Sequence, residues 1–330
     1  MRLNSMRTGL LAAGIAFFAA GTAAAQQAGA SGDGEGVDSN LLWPAPGPSH
    51  YVTLQSSDIA GHTRVAFGAL FGYYRKSLGL EILDSTSGET DTEWVVEHAA
   101  TVDFMWAFGL FDWVQLGVAL PVVLDQGGVG ATPFMPAGVD DATYKLAASA
   151  LRDIRLDVKT RLLGGRAEDP ERRGLGLAVD LGMTLPTGDE LNFAGERGVV
   201  FVPTAVVDYH QCCISAALNV GARLRTEEAR LHRTSVGHQG VAGLGVTGHL
   251  VDRRLLLSAE GVAVVELDGF DRAGIEYRAA VGYVPDEARA VTLWVSGGSA
   301  AGTGDLLGTP QLRVLVGLTY APGEEEAFAL

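Results

Sequence analysis

The residues that could carry chemistry are charged side chains placed at every second position of otherwise apolar stretches. Successive side chains of a β-strand point to opposite faces, so charges spaced in this way share one face. A ring of such charges can select ions, whereas charges of opposite sign can pair and hold a structure rigid. The candidates for this charged face are Arg64, Glu97, Asp103, Arg155, Asp157, Lys159, Arg161, Asp180, Arg223, Arg225, Glu260, Glu276, Arg278 and Arg313.

The sequence gives less support for a catalytic or metal-binding site than for this charged face. The hydrolase signature Gly-X-Ser-X-Gly does not occur, although Ser235 and His238 stand in one predicted loop. His249 and its neighbouring histidines lack the spacing of a metal site. The adjacent residues Cys212 and Cys213 would point to opposite faces of a strand, which disfavours a bridge between them. We therefore expect no enzyme activity, no cofactor and no metal.

The stretch from Trp94 to Leu124 shows the elements that must position the charges. Apolar Val102, Phe104 and Trp106 alternate there with small or polar residues such as Asp103. A period of two, sustained over about ten residues, predicts β-strands. Candidate strands recur along the chain at about 62–75, 93–108, 112–124, 151–164, 173–185, 198–209, 212–225, 238–250, 254–266, 274–284, 289–298 and 310–320.

The connections between these candidates alternate in length. Long ones follow the odd-numbered strands, at about 76–92, 125–150, 186–197, 226–237, 267–273 and 299–309, and mostly short ones follow the even-numbered strands. Bacterial outer-membrane barrels have this order, with long loops outside the cell and short turns in the periplasm. We predict an all-β fold, a closed antiparallel transmembrane β-barrel of about 12 strands. A secreted soluble β protein is the alternative.

The composition agrees with an exported barrel. Glycine accounts for 44 of 330 residues and charged residues for only 19%, which suits a barrel better than an enzyme. The net charge of −15 argues against a nucleic acid partner. We expect the partners to be outer-membrane lipid and a small-molecule solute.

The two ends of the chain complete the expected organisation. Residues 1–25 combine an early positive charge, a short apolar core and a small-residue site at Ala25, which predicts a signal peptide cleaved there and export to the bacterial outer membrane. Residues 26–60 are rich in Gly, Ala and Ser and then in Pro. We expect a flexible periplasmic segment, with one short strand near 51–55 that lies outside the main set or is tucked into the barrel mouth. Whether the segment plugs the barrel is left open by the sequence. The barrel is expected over 61–321, and a periplasmic acidic tail over 322–330.

Three segments resemble known sequences. They are 107–124 (AFGLFDWVQLGVALPVVL), 185–189 (LPTGD) and the closing 308–322 (GTPQLRVLVGLTYAP). On these residues the chain resembles barrel domains of deltaproteobacterial and myxobacterial outer-membrane proteins of the OmpA-like kind, over roughly 50–322. The resemblance implies an outer-membrane barrel. The peptidoglycan-binding domain that follows the barrel in many relatives has no counterpart in this chain, so that activity is not carried over.

The charged face leaves two functions open. The first is a narrow, porin-like channel or transporter for small molecules, and the second is a non-conducting structural or adhesion barrel. A hydrolase is a third, weaker interpretation. The two functions differ in the state of a basic strip formed by Arg155, Lys159, Arg161, Arg223 and Arg225. If these side chains are unpaired, the strip would attract anions into a channel. If acidic residues neutralise them, the pairs would make a structural barrel rigid.

Barrels of about eight strands are filled by their own side chains, whereas barrels of 16–18 strands enclose a water channel. A barrel of twelve strands lies between these sizes, so its lumen could be either a narrow pore or plugged.

Overall fold

The chain folds as a closed, nearly helix-free β-barrel. The computed structural model describes residues 36–83, 90–132, 145–164, 174–231, 234–268, 272–286, 289–303 and 308–322. The barrel strands are β1 (Val65–Leu83), β2 (Thr90–Leu110), β3 (Val114–Gly127), β4 (Ile154–Leu163), β5 (Gly174–Leu185), β6 (Val200–Gln211), β7 (Ile214–Arg225), β8 (Gln239–Leu250), β9 (Leu255–Glu266), β10 (Ala273–Tyr283), β11 (Val291–Thr303) and β12 (Leu312–Tyr320).

Each strand pairs antiparallel with the next, and the circle closes between the first and the last. In the closing pair, Phe67 on β1 stands opposite Tyr320 on β12, and the ladder continues to Arg75 opposite Leu312. Closure leaves no exposed sheet edge, which a membrane-spanning sheet cannot tolerate. The prediction of a closed antiparallel barrel of about 12 strands is confirmed.

The outer face of the barrel is apolar along its strands. On β8, Leu244 and Val246 are 61% and 46% exposed, whereas Gly245 and Thr247, which alternate with them, are buried on the inner side. This inverted pattern, with apolar residues outside, suits contact with lipid. Among the described residues, no helix has the length and apolar character to cross a membrane.

Tight turns join β2 to β3, β6 to β7 and β8 to β9. Phe111 and Asp112 have φ values of 54° and 58° between β2 and β3, and Val251 and Asp252 have 49° and 51° between β8 and β9. These left-handed residues reverse the chain within three residues at 111–113 and within four at 251–254. We call the end of the barrel that holds these turns the short-turn end, and the opposite end the long-loop end.

The prediction of a long connection at 76–92, between the first two strands, is wrong. β1 and β2 remain paired to Leu83 and Thr90, after a register shift between Arg75 and Leu78. Beyond this shift Leu78 and Val96 are both fully buried, although Val96 stands an even number of residues from outward-facing Val102 and would share its face on an unbroken strand. The apolar contacts of this buried pair extend the hairpin, and the remaining connection, 84–89, falls outside the described residues.

The prediction of a flexible periplasmic segment at 26–60 is also wrong over its described part. Residues 36–61, which we call the inner segment, lie inside the barrel, and Leu42, Tyr51 and Leu54 are buried there. The inner segment contains no strand. Its backbone groups bond to wall side chains instead of to another strand, which alternation in the sequence cannot reveal. Residues 1–35 and 323–330 lie outside the described residues.

The two faces of β5 give a direct test of the lipid-facing surface. Val179 lies halfway along this strand and faces outward beside buried Asp180. We expect Val179→Arg to lower the free energy of unfolding by about 2–4 kcal/mol, because the charge would meet the middle of the lipid layer. The same arginine at Val251, an exposed turn residue, should cost about 0–1 kcal/mol. Denaturant unfolding of barrels refolded in vesicles measures both, and equal losses would contradict the assignment.

Candidate functional site

The candidate site is the lumen, which the inner segment crosses from one end to the other. At the long-loop end the Ser39 N–H donates to the Phe193 carbonyl at 2.9 Å, and the Ser39 hydroxyl lies 3.2 Å from that of Tyr74. At the short-turn end the Thr63 N–H, just beyond the segment, donates to the carbonyl of Gly109 at 2.9 Å. The segment therefore occupies the path that a solute would take.

A buried ion pair fixes the segment at the long-loop end. The Arg152 guanidinium lies 2.6 Å from the Asp38 carboxylate and donates to the Asn40 carbonyl at 2.7 Å. It also lies 3.9 Å from Asp103 on β2. Burial alone would lower the pKa of Arg152, but the charges of Asp38 and Asp103 outweigh burial and raise it. Arg152 therefore remains a cation that joins the segment to the wall.

Trp43 of the inner segment contacts two arginines of the wall, Arg155 on β4 and Arg223 on β7. The guanidinium of Arg223 lies 4.3 Å from the ring centroid and that of Arg155 lies 5.7 Å away. Arg223 also donates to the Leu41 carbonyl at 2.5 Å, and Arg155 to the Pro44 carbonyl at 3.2 Å. Cation–π contacts gain strength when water is excluded, so this indole is a central anchor of the segment.

Glu260 on β9 holds the backbone of the segment in the middle of the lumen. Its carboxylate accepts the N–H of Val52 at 2.6 Å, the N–H of Thr53 at 3.1 Å and the Thr53 hydroxyl at 2.6 Å. Arg278 on β10 lies 3.7 Å from the same carboxylate and donates to the Thr53 hydroxyl. Hydrogen bonds to a charged acceptor are about twice as strong as neutral ones, so Glu260 is the strongest hydrogen-bonding anchor of this stretch.

A second series of polar wall residues holds residues 55–57. The Gln55 N–H donates to the Asn219 side chain at 2.8 Å, and the Gln55 amide to Asp180 at 2.6 Å. The Ser57 N–H and hydroxyl donate to Asp208 at 2.6 and 2.9 Å. These contacts come from three adjacent strands, β5 to β7, so this part of the wall forms a polar cradle.

Other charged residues pair within the barrel rather than with the segment. Glu276 accepts hydrogen bonds from Arg278 and Arg313, each at 2.7 Å. Arg225 pairs with Glu196 at 2.8 Å. These pairs balance charge without the segment and would persist if the segment moved.

The remaining predicted residues lie near the ends of the barrel or beside a cavity. Lys159 donates to the Ser56 carbonyl at 3.3 Å, Arg161 to the Asp112 carbonyl at 2.5 Å, and Arg64 to the Pro322 carbonyl at 3.3 Å. Asp157 lines a cavity of about 110 Å³ between the segment and the wall.

Glu97 does not face the closed lumen. It is half-exposed and pairs with Arg75 at 3.6 Å, beyond the register shift that changes the inward phase of β1 and β2.

The five residues of the predicted basic strip are all engaged in this structure. Arg155, Lys159 and Arg223 bond to carbonyl groups of the inner segment, Arg161 bonds to the carbonyl of a turn, and Arg225 pairs with Glu196 in the connection between β5 and β6. The arrangement favours the interpretation in which these charges are neutralised over an open basic strip.

Two glycines on β8 let the segment approach the wall. A Cβ at Gly243 would lie 2.4 Å from a Leu54 methyl carbon, and a Cβ at Gly245 would lie 2.7 Å from the other. Atoms at such distances overlap, so any side chain here would push Leu54 away. The high glycine content of the sequence thus matches the space that the inner segment needs.

Asp153 fastens the connection between β5 and β6 at the long-loop end. Its carboxylate accepts the N–H groups of Thr187, Gly188 and Glu196 at 3.1, 2.8 and 2.8 Å. Burial raises the pKa of Asp153 to about 7, because the charged form loses its hydration, and the hydrogen bonds offset this only in part. The connection is therefore held by a group that titrates near neutral pH.

The sequence patterns left the position of the inner segment open and did not identify several of its partners in the wall. These include Asp208 and Gln115 on β3, whose side-chain amide donates to the Pro46 carbonyl at 3.1 Å. One indirect indication was present in the sequence. The stretch expected to be flexible contains six large apolar residues, which are Leu41, Leu42, Trp43, Tyr51, Val52 and Leu54. The hydrolase candidates Ser235 and His238 form other contacts, the Ser235 carbonyl with Arg272 and the His238 ring with the Arg225 N–H.

Comparisons with known proteins support the fold. No protein-family model and no curated protein matches the sequence. Among solved structures, an outer membrane channel from Pseudomonas putida F1 is 12% identical, with 82% of this chain and 99% of that chain covered and a TM-score of 0.56. The NanC porin is 7% identical, with 77% and 98% covered and a TM-score of 0.48. At 12% identity the likeness to the Pseudomonas putida channel shows a shared barrel fold and no more, and the resemblance to deltaproteobacterial proteins stays a prediction.

The Asp153 carboxyl predicts a pH dependence. Folding raises its pKa from 3.8 to about 7, so the folded state favours the protonated carboxyl. The free energy that Asp153 contributes to docking of the β5–β6 connection is therefore complete below about pH 4, and it is lost as the pH rises through about 7. Amide exchange at Gly188 and Glu196, corrected for its intrinsic pH dependence, should report more opening across this interval. Asp153→Asn should remove the trend and Asp189→Asn, in the same connection, should retain it. A flat wild-type profile would count against the raised pKa.

Glu260 offers a matched test of the anchor in the lumen. Glu260→Gln should speed amide exchange at Val52 and Thr53 by about tenfold or more, because hydrogen bonds to a charged group are worth about 1.5–3 kcal/mol. Glu266→Gln on the same strand removes a carboxylate that pairs with Arg272 at 2.6 Å, and should leave these amides unchanged. If the two variants gave the same exchange rates, Glu260 would not anchor the segment.

Proposed function

We propose that the protein is an outer-membrane channel for small molecules whose lumen is closed by its own inner segment. The apolar outer face fits a lipid environment, and the charged inner wall fits a water-filled passage. Passage of a solute requires the inner segment to move, so the structure corresponds to a closed conformation.

The observation that carries this proposal is the polar character of the contact between wall and segment. Glu260, Asp208 and Asn219 bind backbone groups of the segment, and Arg155 and Arg223 bind its carbonyls. Water can replace each of these partners, and the net contribution of each bond is about 1.5–3 kcal/mol where a charged group takes part and about 0.5–1.5 kcal/mol for Asn219. Displacement of the segment would therefore leave a wall that water can wet.

A non-conducting structural barrel is the second candidate, and the buried anchors favour it. The Arg152–Asp38 pair is buried, and Tyr51 and Leu54 pack into an apolar cluster with Ala217. Removing one partner of a buried ion pair costs about 3–5 kcal/mol, so these contacts oppose release of the segment. The two functions differ in whether the segment ever leaves the lumen.

The remaining features of the proposal concern the whole chain. We propose export through a signal peptide at 1–25, a periplasmic tail at 322–330, long loops outside the cell and no enzyme activity. The relation to deltaproteobacterial OmpA-like barrels also belongs to the proposal. A small solute and outer-membrane lipid are the proposed partners.

Single-channel recording in planar bilayers tests the channel proposal. The full chain should show low and intermittent conductance, because the inner segment fills the lumen. A variant that lacks residues 36–60 should conduct steadily. Glu260→Gln should open more often than Glu266→Gln, because only the first loosens a bond to the segment.

Folding must be checked in the same samples. Circular dichroism and heat-modifiable migration show whether each variant retains the barrel. A folded deletion variant that never conducts would reject the channel and leave the structural barrel. Equal open times for the two glutamine variants would reject gating through Glu260.

A further inference from the structure

Three potential metal ligands meet at the short-turn end of the lumen. They are His50 and Asp58 of the inner segment and His210 on β6, and one donor atom from each lies within 4.8 Å of the other two. The His50 Nε2 and Asp58 Oδ2 atoms are 3.3 Å apart. Zn²⁺ with ligand distances of about 2.0–2.1 Å in a tetrahedral site separates its ligands by roughly 3.3 Å, so this edge already has the required length.

Hydrogen bonds on the far side of His210 orient its ring. Its Nδ1 lies 2.9 Å from the Ser215 hydroxyl, which lies 2.8 Å from Nε2 of His249. When Nδ1 donates to Ser215, the serine can donate to His249, and Nε2 of His210 then keeps a lone pair that can bind a cation. Metal-binding histidines are held in this way by a partner on the other ring nitrogen.

Charge and access at the cluster also suit a cation. Asp208 Oδ2 lies 3.3 Å from Nε2 of His210, which adds a second carboxylate beside the donor atoms. The Asp58 side chain is only 1% exposed, whereas that of His50 is 31% exposed. A cation can therefore reach His50 first and become enclosed on binding the other two ligands.

A hydrolytic interpretation of the same side chains is weaker. Ser215, His210 and Asp208 follow one another as in a serine hydrolase triad. However, Ser215 is only 2% exposed, and its hydroxyl is shared between two imidazoles. A nucleophile in this position cannot reach a substrate.

We propose that His50, Asp58 and His210 form a binding site for a divalent transition metal of the zinc type, which clamps the inner segment to the wall. The ion would take two imidazole nitrogens and one carboxylate oxygen, the ligand set common to zinc sites, and keep one position for water. Two ligands come from the segment and one from the wall, so binding joins the two. The site does not depend on whether the barrel conducts.

The test is metal binding to the full chain, without an affinity tag, refolded in detergent. Co²⁺ is the spectroscopic probe, because its visible absorption reports four-coordinate geometry, and Zn²⁺ binding is measured by titration calorimetry. Thiolates also bind zinc, and Cys212 and Cys213 are exposed near the same end of the barrel. Each titration is therefore repeated with both cysteines changed to serine.

We expect one site per chain, with a dissociation constant that rises at least about tenfold in His50→Gln and in His210→Gln, since loss of even a supporting partner costs about 10–100-fold. His62→Gln is the matched control, because His62 lies at the same end and bonds instead to the Phe111 N–H. His50 lies outside the strands, so its replacement should leave the barrel folded, as circular dichroism will verify.

Three results would overturn the proposal. The first is no saturable binding to the wild type, and the second is binding that disappears with the two cysteines. The third is equal affinity in the His50, His210 and His62 variants. Conductance recordings do not enter this test, so its failure is distinct from failure of the proposed channel.

Discussion

The structure depends on one constraint: a charged side chain that turns inward from the barrel wall loses bulk water and must find a partner. A buried charge without one costs several kcal/mol. The wall meets this demand in two ways, through pairs among its own residues, such as Glu276 with Arg313, and through the backbone of the inner segment, as Glu260 does. The inner segment in turn needs hydrogen-bond partners for its backbone N–H and C=O groups, because it pairs with no neighbouring strand.

The fold was predictable because lipid and lumen impose a period of two on each strand. Val314 and Val316 on β12 alternate with inward residues in the sequence as they do in the structure. The prediction failed where that period breaks. At the bulge between Arg75 and Leu78 the phase shifts, and the buried pair of Leu78 and Val96 continues a hairpin that was expected to end.

The candidate site was only half predictable. Inward charges such as Arg155 and Glu260 follow from phase alone, but their partners do not. Trp43 and Thr53 belong to a stretch without periodicity, and their contacts join residues far apart in the chain. The Gly, Ala, Ser and Pro content of that stretch suggested exposure to solvent, because composition describes the segment without the wall that surrounds it. The same limit applies to His50 and His210, which have no sequence spacing to connect them but meet through the fold.

The closing pair between β1 and β12 imposes an order on assembly. The inner segment runs directly into β1, and that strand must pair with the last one to complete the circle. Threading a chain through a finished ring is slow, whereas closing the ring around a chain already laid along the wall is not. We therefore expect the segment to dock on the wall before the seam between Phe67 and Tyr320 closes. Contacts this distant in the chain form late in folding.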